Sequence, residues 1–273
     1  MLPANPAVSV LMPAYNAERF IAAAIESILR QTFIHYEFII VDDASTDSTW
    51  SIIKNFAARD PRIQARRNET NLGIAGNRNL LLSLACGKYI AWQDADDQSF
   101  SDRLELQHAF LEQHPEVGIV GGYLQFLHEG GRTGVRRYHP DDKRLRSAIF
   151  RYSPVAQPAA MIRKICFADF GLYDVRYPPA EDIDMSFRIG QGYQFANIQR
   201  PLIQYREHAA SATFTRLKKI ELTTLAIRWK FRSHRAYHPS WFDYLYNIAQ
   251  FISIFVIPAK LKIRLFNYFR NAK

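Results

Sequence analysis

The hydrophobic pattern of the first 110 residues alternates between short apolar runs and longer amphipathic stretches. AVSVLMPAYN, YEFIIVDDAS and KYIAWQ are apolar over most of their length, which predicts buried strands, and RIQARRN predicts a shorter strand between the last two. Helical spacing is found in the stretches AERFIAAAIESILRQ, TDSTWSIIKNFAARD and GIAGNRNLLLSLACG. Strands that alternate with helices in this way predict an α/β domain with a mostly parallel central sheet flanked by helices.

Local signals indicate how these helices begin, end and pack. Asn16 is placed to cap the first helix, and Gly87 is placed to end the third. In the second helix Trp50, Ile53 and Phe56 share the side that faces inward. A fourth helix is expected in SDRLELQHAFLEQH.

The pattern continues less regularly through residues 101–215. We expect a strand in GIVGGYLQF, a loop-rich section in HEGGRTGVRRYHPDD, a strand followed by a helix in QPAAMIRKICFADFG, and strands in YQFANI and PLIQYREH. PPAEDIDMSFRIGQG predicts a helix with acids in its first turn, where the helix dipole favours negative charge. The chain is therefore predicted to contain one domain over residues 1–215 and a helical extension over residues 216–273.

Charge is distributed unevenly between these two parts. Residues 216–273 contain 12 Lys or Arg and 2 acids, Glu221 and Asp243, for a net charge of +10, whereas residues 1–215 carry a net charge of −1. A basic segment attached to a near-neutral domain predicts an anionic partner, either a membrane surface or a nucleic acid. Because no recognisable nucleic-acid-binding motif accompanies the charge, we expect no nucleic-acid partner.

The extension also contains a long uncharged segment. Residues 244–259, YLYNIAQFISIFVIPA, carry no charge, but 16 residues are fewer than the ~20 that a membrane-spanning helix needs. The following KLKIRLFNYFR mixes bases with apolar residues, which suits a helix that lies in a membrane interface. A helix that packs on the domain, or on a second copy of the chain in a homo-oligomer, accounts for the same pattern. Both interpretations stay open from the sequence.

Two features concern the cellular compartment. The N-terminal MLPANPAVSVLMP lacks a basic region followed by a long apolar stretch, so it does not resemble a secretory signal. Cys86 and Cys166 are far apart and lack CxxC spacing, which is typical of free thiols in a reducing cytosol rather than of a zinc site. We therefore expect a cytoplasmic protein, bound peripherally to the inner face of the membrane if the extension binds lipid.

Acidic residues follow two of the predicted strands. Asp42 and Asp43 end the second strand, and Asp94, Asp96 and Asp97 follow the fourth. In parallel α/β sheets ligands bind beyond the carboxyl ends of the strands, so the two clusters are expected to meet in one crevice. A hard divalent cation relieves the repulsion of crowded carboxylates, and Mg²⁺ or Mn²⁺ held in this way usually binds a substrate phosphate as well.

These clusters have simpler explanations too. Three neighbouring aspartates commonly form only a solvated turn, and Asp43 and Ser45 are placed to cap the next helix. Asp43 is also suited to accept a hydrogen bond from uracil or ribose. Tyr15 is suited to pack against a base, unless it is an ordinary core tyrosine. The residues alone favour a metal–diphosphate site without establishing it.

Several ordered motifs together closely resemble glycosyltransferase family 2. They are VSVLMPAYNAERFIAAAIESILRQTF, EFIIVDDASTDST, NLGIAGNRN and GKYIAWQDADDQSFSDRLELQ. The similarity covers residues 7–110 and continues more weakly to about residue 210, where QPAAMIRK and EDIDMSFRI resemble acceptor-side segments. The resemblance implies the GT-A fold, Rossmann-like, with a nucleotide-binding half over about residues 1–100 and an acceptor half over about residues 101–215. It also implies inverting sugar transfer with Mn²⁺ or Mg²⁺.

The resemblance further implies roles for individual residues. Those on the donor side would shape the base pocket or contact a UDP-sugar: Pro13, Ala14, Tyr15, Asp43, Arg78, Asp94 and Ala95. Those at the metal would be Asp96, Asp97 and His208, with Asp94 and Asp96 matching an Asp-x-Asp motif. Glu181 and Asp182 match the segment that carries the catalytic base, and Asp182 is preferred. A surface salt bridge for Arg78 and a structural role for His208 are the alternatives.

The implied reaction is a single displacement at the donor sugar. Asp182 would accept the proton of an acceptor hydroxyl as its oxygen attacks C1. Processive members of the family carry a Gln-x-x-Arg-Trp motif and transmembrane helices, but here Leu225 stands three residues before Arg228, so addition of a single sugar is expected.

Two functions follow from this resemblance. We expect a hexosyl- or N-acetylhexosaminyltransferase that acts on a glycan or lipid-linked acceptor in bacterial surface polysaccharide synthesis. A catalytically inactive nucleotide-sugar-binding protein of the same fold is the alternative. The residues that sort one sugar from another are scattered over loops, so the donor sugar is left open.

Overall fold

The structure, a computed structural model, describes residues 5–128, 131–208, 215–259, 261–263, 265 and 271–272. The strands of these residues are β1 (Val8–Ala14), β2 (Tyr36–Asp42), β3 (Ile63–Arg67), β4 (Tyr89–Trp92), β5 (Gln98–Ser99), β6 (Val117–His128), β7 (Gly131–Arg136), β8 (Met161–Arg163), β9 (Gln194–Arg206) and β10 (Asn271–Ala272). The main helices are α1 (Ile21–Leu29), α2 (Thr49–Ala57), α3 (Gly73–Leu84), α4 (Arg103–Gln113), α5 (Asp142–Ala148), α6 (Ile165–Phe170), α7 (Glu181–Ile189), α8 (Leu217–Phe231) and α9 (Trp241–Val256).

All ten strands join one sheet with a parallel and a mixed half. β1 lies between β2 and β4 and is parallel to both, and β3 extends the parallel half beyond β2. On the other side β8 pairs antiparallel with β4 and β6, β7 pairs antiparallel with β6, and β9 is parallel to β6. The α/β prediction is confirmed. The antiparallel β6 and β7 are joined by a short connection, whereas β8 reaches β4 and β6 only after long intervening segments.

The two largest groups of buried residues lie on opposite faces of the sheet and form most of the core. Helices α1, α2 and α4 cover one face with side chains such as Ile25, Ile53 and Leu104. Helices α3, α6, α7 and α8 cover the other with side chains such as Leu81 and Phe187. Because β1, β2 and β4 are buried on both faces, their sequences are apolar without a period of two.

The predicted cap of α1 by Asn16 is wrong, and so is the alternative that Asp43 or Ser45 caps α2, because these residues tie loops together instead. α1 begins at Ile21 and has no side-chain cap. Asn16 lies before it in a left-handed conformation, and its side-chain carbonyl accepts the N–H of Thr46 at 2.9 Å. α2 is preceded by Ser48 rather than by Asp43 or Ser45. The hydroxyl of Ser45 accepts the N–H of Asn16 at 2.9 Å, so the loops after β1 and β2 hold each other.

The second half of the domain contains more regular structure than its sequence indicates. The loop-rich section includes β7 and is followed by α5, which has Asp141 as a side-chain cap. The two strands expected in YQFANI and PLIQYREH form one continuous strand, β9. Its pairing with β6 shifts register near Pro201, since proline has no N–H for the ladder.

The extension packs on the domain through α8. The ring of Phe231 stacks on that of Phe187 in α7, with centroids 4.9 Å apart and planes 5° from parallel. Ile227 and Tyr237 join the same core. α9 packs along α8. Among the residues described, no helix combines the length and the apolar composition that crossing a membrane requires.

Candidate active site

The carboxyl ends of β1, β2 and β4 lie side by side, as the strand order predicts. Ala14 at the end of β1 is in register with Asp42, and its carbonyl accepts the N–H of Asp43 at 2.8 Å. On the other side Leu11 of β1 is in register with Trp92, and the acidic turn that starts at Asp94 follows. The two acidic clusters therefore flank the end of β1, at the edge of the sheet where a shared crevice is predicted.

Residues 13–15 form the middle of this crevice. Pro13 and Ala14 are buried within β1 and make a floor between the acidic clusters. Tyr15 follows them and is 52% exposed, so it is not a core tyrosine. Its ring is available to a planar ligand at this edge, and Ala95 is buried across the crevice in the acidic turn.

Asp43 is nearly buried and organises a neighbouring loop. Its carboxylate accepts the N–H groups of Leu72 and Gly73, both at 2.9 Å, and the side-chain amide of Asn68 at 2.7 Å. Gly73 has a φ of 73°, which glycine adopts without strain. Asp43 thus holds the loop before α3 against the crevice, and its contact to uracil stays a prediction.

The three aspartates after β4 form a compact cluster rather than a solvated turn. Carboxylate oxygens of Asp94, Asp96 and Asp97 lie within 4.8 Å of one another, and Asp97 is only 1% exposed. Gln93, which is fully buried, holds the turn from beneath: its side-chain amide donates to the carbonyls of Asp94 at 3.0 Å and Asp97 at 2.9 Å. The side-chain carbonyl of Gln93 accepts a hydrogen bond from the hydroxyl of Ser99 at 2.6 Å.

The end of β9 closes the cluster from a third direction. The backbone N–H of Arg206 donates to the Asp97 carboxylate at 2.8 Å, and its side chain donates to the carbonyl of Asp96 at 3.2 Å. Nε2 of His208 lies 2.9 Å from the Asp96 carboxylate, and the His208 ring packs on Phe20. His208 is therefore beside the aspartates, where the resemblance places it. Arg206 was not predicted, although it is two residues from His208 in YREH.

This cluster suits a divalent cation. Oδ2 of Asp97 is buried and, among the described residues, has no hydrogen-bond partner. Burial and the carboxylates of Asp96 and Asp94 raise the pKa of Asp97 well above its usual value. Burial also raises the pKa of Asp94 to about 6, against the opposing effect of Arg78. Three crowded oxygen ligands with an imidazole beside them match the preferences of Mn²⁺ or Mg²⁺.

Arg78 connects this cluster to the acids of α7. Its guanidinium donates to Glu181 at 2.6 Å and lies 3.6 Å from the Asp94 carboxylate. It is 5% exposed and lies over the rings of Trp92 and Tyr173. The alternative of a surface salt bridge for Arg78 is therefore wrong.

Glu181 and Asp182 occupy the first turn of α7 in different environments. Glu181 is 2% exposed and paired with Arg78, whereas Asp182 is partly exposed. Burial and the neighbouring charge of Glu181 raise the pKa of Asp182 to about 6, although Arg78 opposes the shift. A carboxylate with a pKa near neutrality is suited to proton transfer, so Asp182 fits a general base and Glu181 fits a residue that positions Arg78.

Two further buried residues support the site and were not predicted. Tyr173 packs edge-on against Trp92 with centroids 5.6 Å apart, and its hydroxyl accepts the side-chain amide of Gln157 at 2.9 Å. Arg103 is fully buried behind the acidic turn and donates to the carbonyl of Trp92 at 2.8 Å. Burial lowers the pKa of Arg103 to about 9.

Known proteins resemble this chain in sequence. The family model for Glycosyl transferase family 2 matches residues 9–168. EpsE of Bacillus subtilis, named as a glycosyltransferase, is 39% identical over 207 residues, 74% of each chain. MJ1057 of Methanocaldococcus jannaschii, named as an uncharacterized glycosyltransferase, is 30% identical over 264 residues, 93% of this chain and 90% of that one. The Escherichia coli enzyme WfgD, named UDP-Glc:alpha-D-GlcNAc-diphosphoundecaprenol beta-1,3-glucosyltransferase, is 39% identical over 42% of this chain and 45% of its own.

Solved structures share the fold at lower sequence identity. Staphylococcus aureus TarS, in complex with UDP-GlcNAc, aligns over 93% of this chain and 74% of its own with a TM-score of 0.70 and 18% identity. The mannosyltransferase PcManGT of Pyrobaculum calidifontis, in complex with GDP-Man and Mn²⁺, aligns over 97% of this chain and 80% of its own with a TM-score of 0.65 and 18% identity. At these identities the likeness establishes the GT-A fold.

Proposed function

The chain belongs to glycosyltransferase family 2, and from this premise we propose that it is a metal-dependent inverting enzyme that transfers a sugar from a UDP-sugar to an acceptor hydroxyl. The observation that carries the proposal is the continuous set of contacts from the acidic turn through Arg78 to α7. It joins a candidate donor residue in the turn after β4 to a candidate base in the other half of the domain. A merely structural ion pair does not require an acidic cluster on one side and a partly exposed carboxylate on the other.

The donor would lie along the ends of the parallel strands. Tyr15 offers a ring to the base, and Asp94 a carboxylate to the ribose. Asp96, Asp97 and His208 would hold a Mn²⁺ or Mg²⁺ ion, which when bound supplies positive charge to the donor diphosphate. The complex of PcManGT with GDP-Man and Mn²⁺ supports this arrangement by analogy.

The reaction would proceed by one displacement at C1. The acceptor oxygen forms a bond to C1 while the bond from C1 to the diphosphate breaks, and Asp182 takes the proton of the acceptor hydroxyl. Glu181 keeps Arg78 in place, and Arg78 keeps positive charge between the donor and the base. Attack opposite the leaving diphosphate inverts the anomeric configuration.

The acceptor is proposed to be a glycan or a sugar on a polyprenyl diphosphate, in the synthesis of a bacterial surface polysaccharide. WfgD acts, by its name, on GlcNAc linked to diphosphoundecaprenol, and this supports the class of acceptor. The sugar moved would be a hexose or an N-acetylhexosamine, as in the names of WfgD and the TarS complex. A cytoplasmic location at the inner face of the membrane follows from such an acceptor.

A release assay for nucleotide diphosphate over a panel of UDP-sugars and GDP-mannose, with Mn²⁺ or with EDTA, tests the proposal. We expect Mn²⁺-dependent release for at least one UDP-sugar, and a product of inverted configuration by NMR once an acceptor is found. Asp96→Ala should lose Mn²⁺-dependent UDP binding in calorimetry. Asp182→Asn should keep that binding and lose release. Asp169→Asn, an exposed aspartate away from the site, is the control and should behave like the unchanged protein.

Two outcomes would contradict this assignment. Release of nucleotide diphosphate that persists in Asp182→Asn would show that Asp182 is not the general base. Mn²⁺-dependent UDP binding with no release for any donor and any acceptor tried would favour the inactive nucleotide-sugar-binding protein instead.

A further inference from the structure

Helix α9 turns a continuous apolar side toward solvent. We define this outer face by six of its exposed side chains, which are 52% to 73% exposed: Trp241, Leu245, Ile248, Ile252, Phe255 and Val256. Single exposed apolar residues are ordinary on protein surfaces, but a contiguous patch marks an interaction site. The outer face therefore requires an occupant.

The opposite side of α9 is polar and fixes how the helix is rotated. Asp243 is buried and pairs with Arg151 at 2.8 Å. The amide of Asn247 donates to the carbonyl of Phe150 at 3.0 Å, and Arg228 of α8 donates to Asn247 at 3.0 Å. Asp243 and Asn247, one helical turn apart, thus both bond to the domain. The exposure of the apolar side is a consequence of specific contacts rather than of a loosely attached helix.

Both acids of the extension are neutralised within the protein. Glu221 is buried and pairs with Lys262 at 2.7 Å, as Asp243 does with Arg151. Bases of the extension remain exposed, among them Lys218, Lys219 and Arg235. In the part of the extension that the structure describes, the charge presented to solvent is therefore positive.

A basic pocket lies at the N-terminal end of α9, beside the outer face. It has a volume of about 340 Å³, and six of its lining residues are Arg232, His234, Arg235, Tyr237, His238 and Tyr244. Among the described residues, none of those that line it is an acid. The two arginines provide positive charge, and together with the two histidines and Tyr244 they offer hydrogen-bond donors suited to a phosphate group. The Tyr237 hydroxyl already donates to the carbonyl of Phe187.

We propose that the outer face and the basic pocket together form a docking surface for a bilayer that contains anionic phospholipid. The 16-residue helix would lie along the bilayer with its apolar side in the interface and a lipid phosphate in the basic pocket. A second copy of the chain is the less suitable occupant, because a symmetric contact would bring the exposed bases of both copies together. The proposal does not depend on the assigned reaction.

The docking surface is joined to the helix that carries the candidate base. α8 lies against both α9 and α7. Lys230 of α8 bonds to Asp184 of α7 at 2.9 Å, and Asp184 also pairs with Arg188. Docking on a bilayer would therefore position the acceptor half of the site relative to the lipid surface.

Flotation of the full chain with vesicles tests the proposal. We expect the protein to float with vesicles of phosphatidylcholine and phosphatidylglycerol in equal amounts, and to float less with phosphatidylcholine alone or at high salt. Leu245→Asp combined with Ile252→Asp should weaken the vesicle partition coefficient at least about tenfold, because two apolar side chains no longer enter the interface. Ile34→Asp, at a 66% exposed position in the other half of the chain, is the matched control and should float normally.

Arg235→Glu tests the basic pocket separately, with Arg59→Glu as the same charge change on the domain. Only the first should reduce flotation with anionic vesicles. Thermal unfolding of each variant shows that it is folded. Absence of flotation by the unchanged protein, or equal flotation of the double aspartate variant, overturns the proposal. A dimer in light scattering that the double variant abolishes, without flotation, would identify a second copy as the occupant and also overturn it.

Discussion

At the scale of single residues, the site depends on the Arg78 guanidinium, which lies between acids from two elements. Arg78 contacts Glu181 and approaches Asp94, and its burial between two aromatic rings keeps it in place. Burial opposes its charge, but Glu181 and Asp94 outweigh this effect and hold the pKa of Arg78 above its usual value. The acids in turn differ in their surroundings: Glu181 is paired with Arg78, whereas burial and the charge of Glu181 raise the pKa of Asp182 to about 6.

The pH dependence of transfer should report Asp182. A base must be deprotonated, so kcat/KM is expected to rise with pH with a midpoint near 6 and to fall about tenfold per pH unit below it. In Glu181→Gln the negative charge that raises the pKa of Asp182 is gone, so the midpoint should move to lower pH. A UDP-release assay across a pH series measures both midpoints, with Glu26→Gln on the exposed side of α1 as the control.

Asp94 also titrates near pH 6, so its contribution must be separated. Calorimetric affinity for UDP with Mn²⁺ over the same pH range gives the dependence of donor binding alone. A midpoint in kcat/KM that merely follows this binding curve, or one that stays fixed in Glu181→Gln, would contradict the assignment of Asp182.

At the scale of elements, the turn after β4 is held by Gln93, directly before it in the chain, and by the end of β9. Gln93 bonds two carbonyls of the turn, and Arg206 at the end of β9 bonds the Asp97 carboxylate. These contacts keep carboxylates together that would otherwise separate. The geometry of the proposed metal site is therefore a property of neighbouring elements as much as of the turn itself.

Gln93→Leu should loosen this turn. The carbonyls of Asp94 and Asp97 lose the side-chain amide that donates to them. We expect a loss of about 3 kcal/mol in the free energy of unfolding, together with weaker Mn²⁺ binding. Gln31→Leu is a matched control, since Gln31 is also buried and bonds three backbone groups. It should lose similar stability in urea but keep its Mn²⁺ affinity. Equal Mn²⁺ affinity in both variants would show that Gln93 has no special role at the turn.

The sequence predicts the parallel half of this fold well because that half is built from local signals. Fully buried strands, amphipathic helices and acids at strand ends are each visible within about ten residues. Asn16 misled the prediction because it bonds a loop 30 residues away rather than its own helix. β7 pairs with β6 across a short connection, but its sequence GRTGVR has no apolar alternation that would predict a strand. α5 lies in the same polar segment and packs against β9, which comes much later in the chain.

The candidate site was likewise predictable only where signals in the sequence mark its residues. Asp43, Asp94, Asp96 and Asp97 were predictable because strand ends of a parallel sheet converge at one edge. His208 required the family resemblance, since its sequence neighbours carry no acid cluster of their own. Tyr173 and Arg206 could not be found from spacing, because only the folded chain brings them to β4.

At the scale of the whole molecule, the extension belongs partly to the domain core. α8 contributes Ile227 and Phe231 to the buried cluster that also contains Phe187, whereas α9 contributes mainly polar contacts. Removal of α8 should therefore destabilise the domain much more than removal of α9.

A chain ending at residue 215 is expected to be unstable, because the face of α7 beneath α8 would be exposed. The burial of Ile227 and Phe231 alone accounts for about 4 kcal/mol. A chain ending at residue 239 keeps α8 and should unfold cooperatively within a few degrees of the full chain. Circular dichroism on heating and the soluble fraction on expression measure both. Equal stability of the two truncated chains would show that α8 is dispensable for folding.

The molecule has a large electric dipole, because its charge is separated along the chain. Residues 1–215 carry a net charge of −1 and residues 216–273 a net charge of +10. In the field of a polyanion such a dipole experiences a torque as well as an attraction, and both act only within the screening distance of roughly 8 Å at physiological salt. The chain would therefore turn its positive end forward in the last stage of an approach, before any side chain makes contact. Retention on a cation-exchange column would reflect the net charge of +9 together with this dipole and would not identify a biological partner.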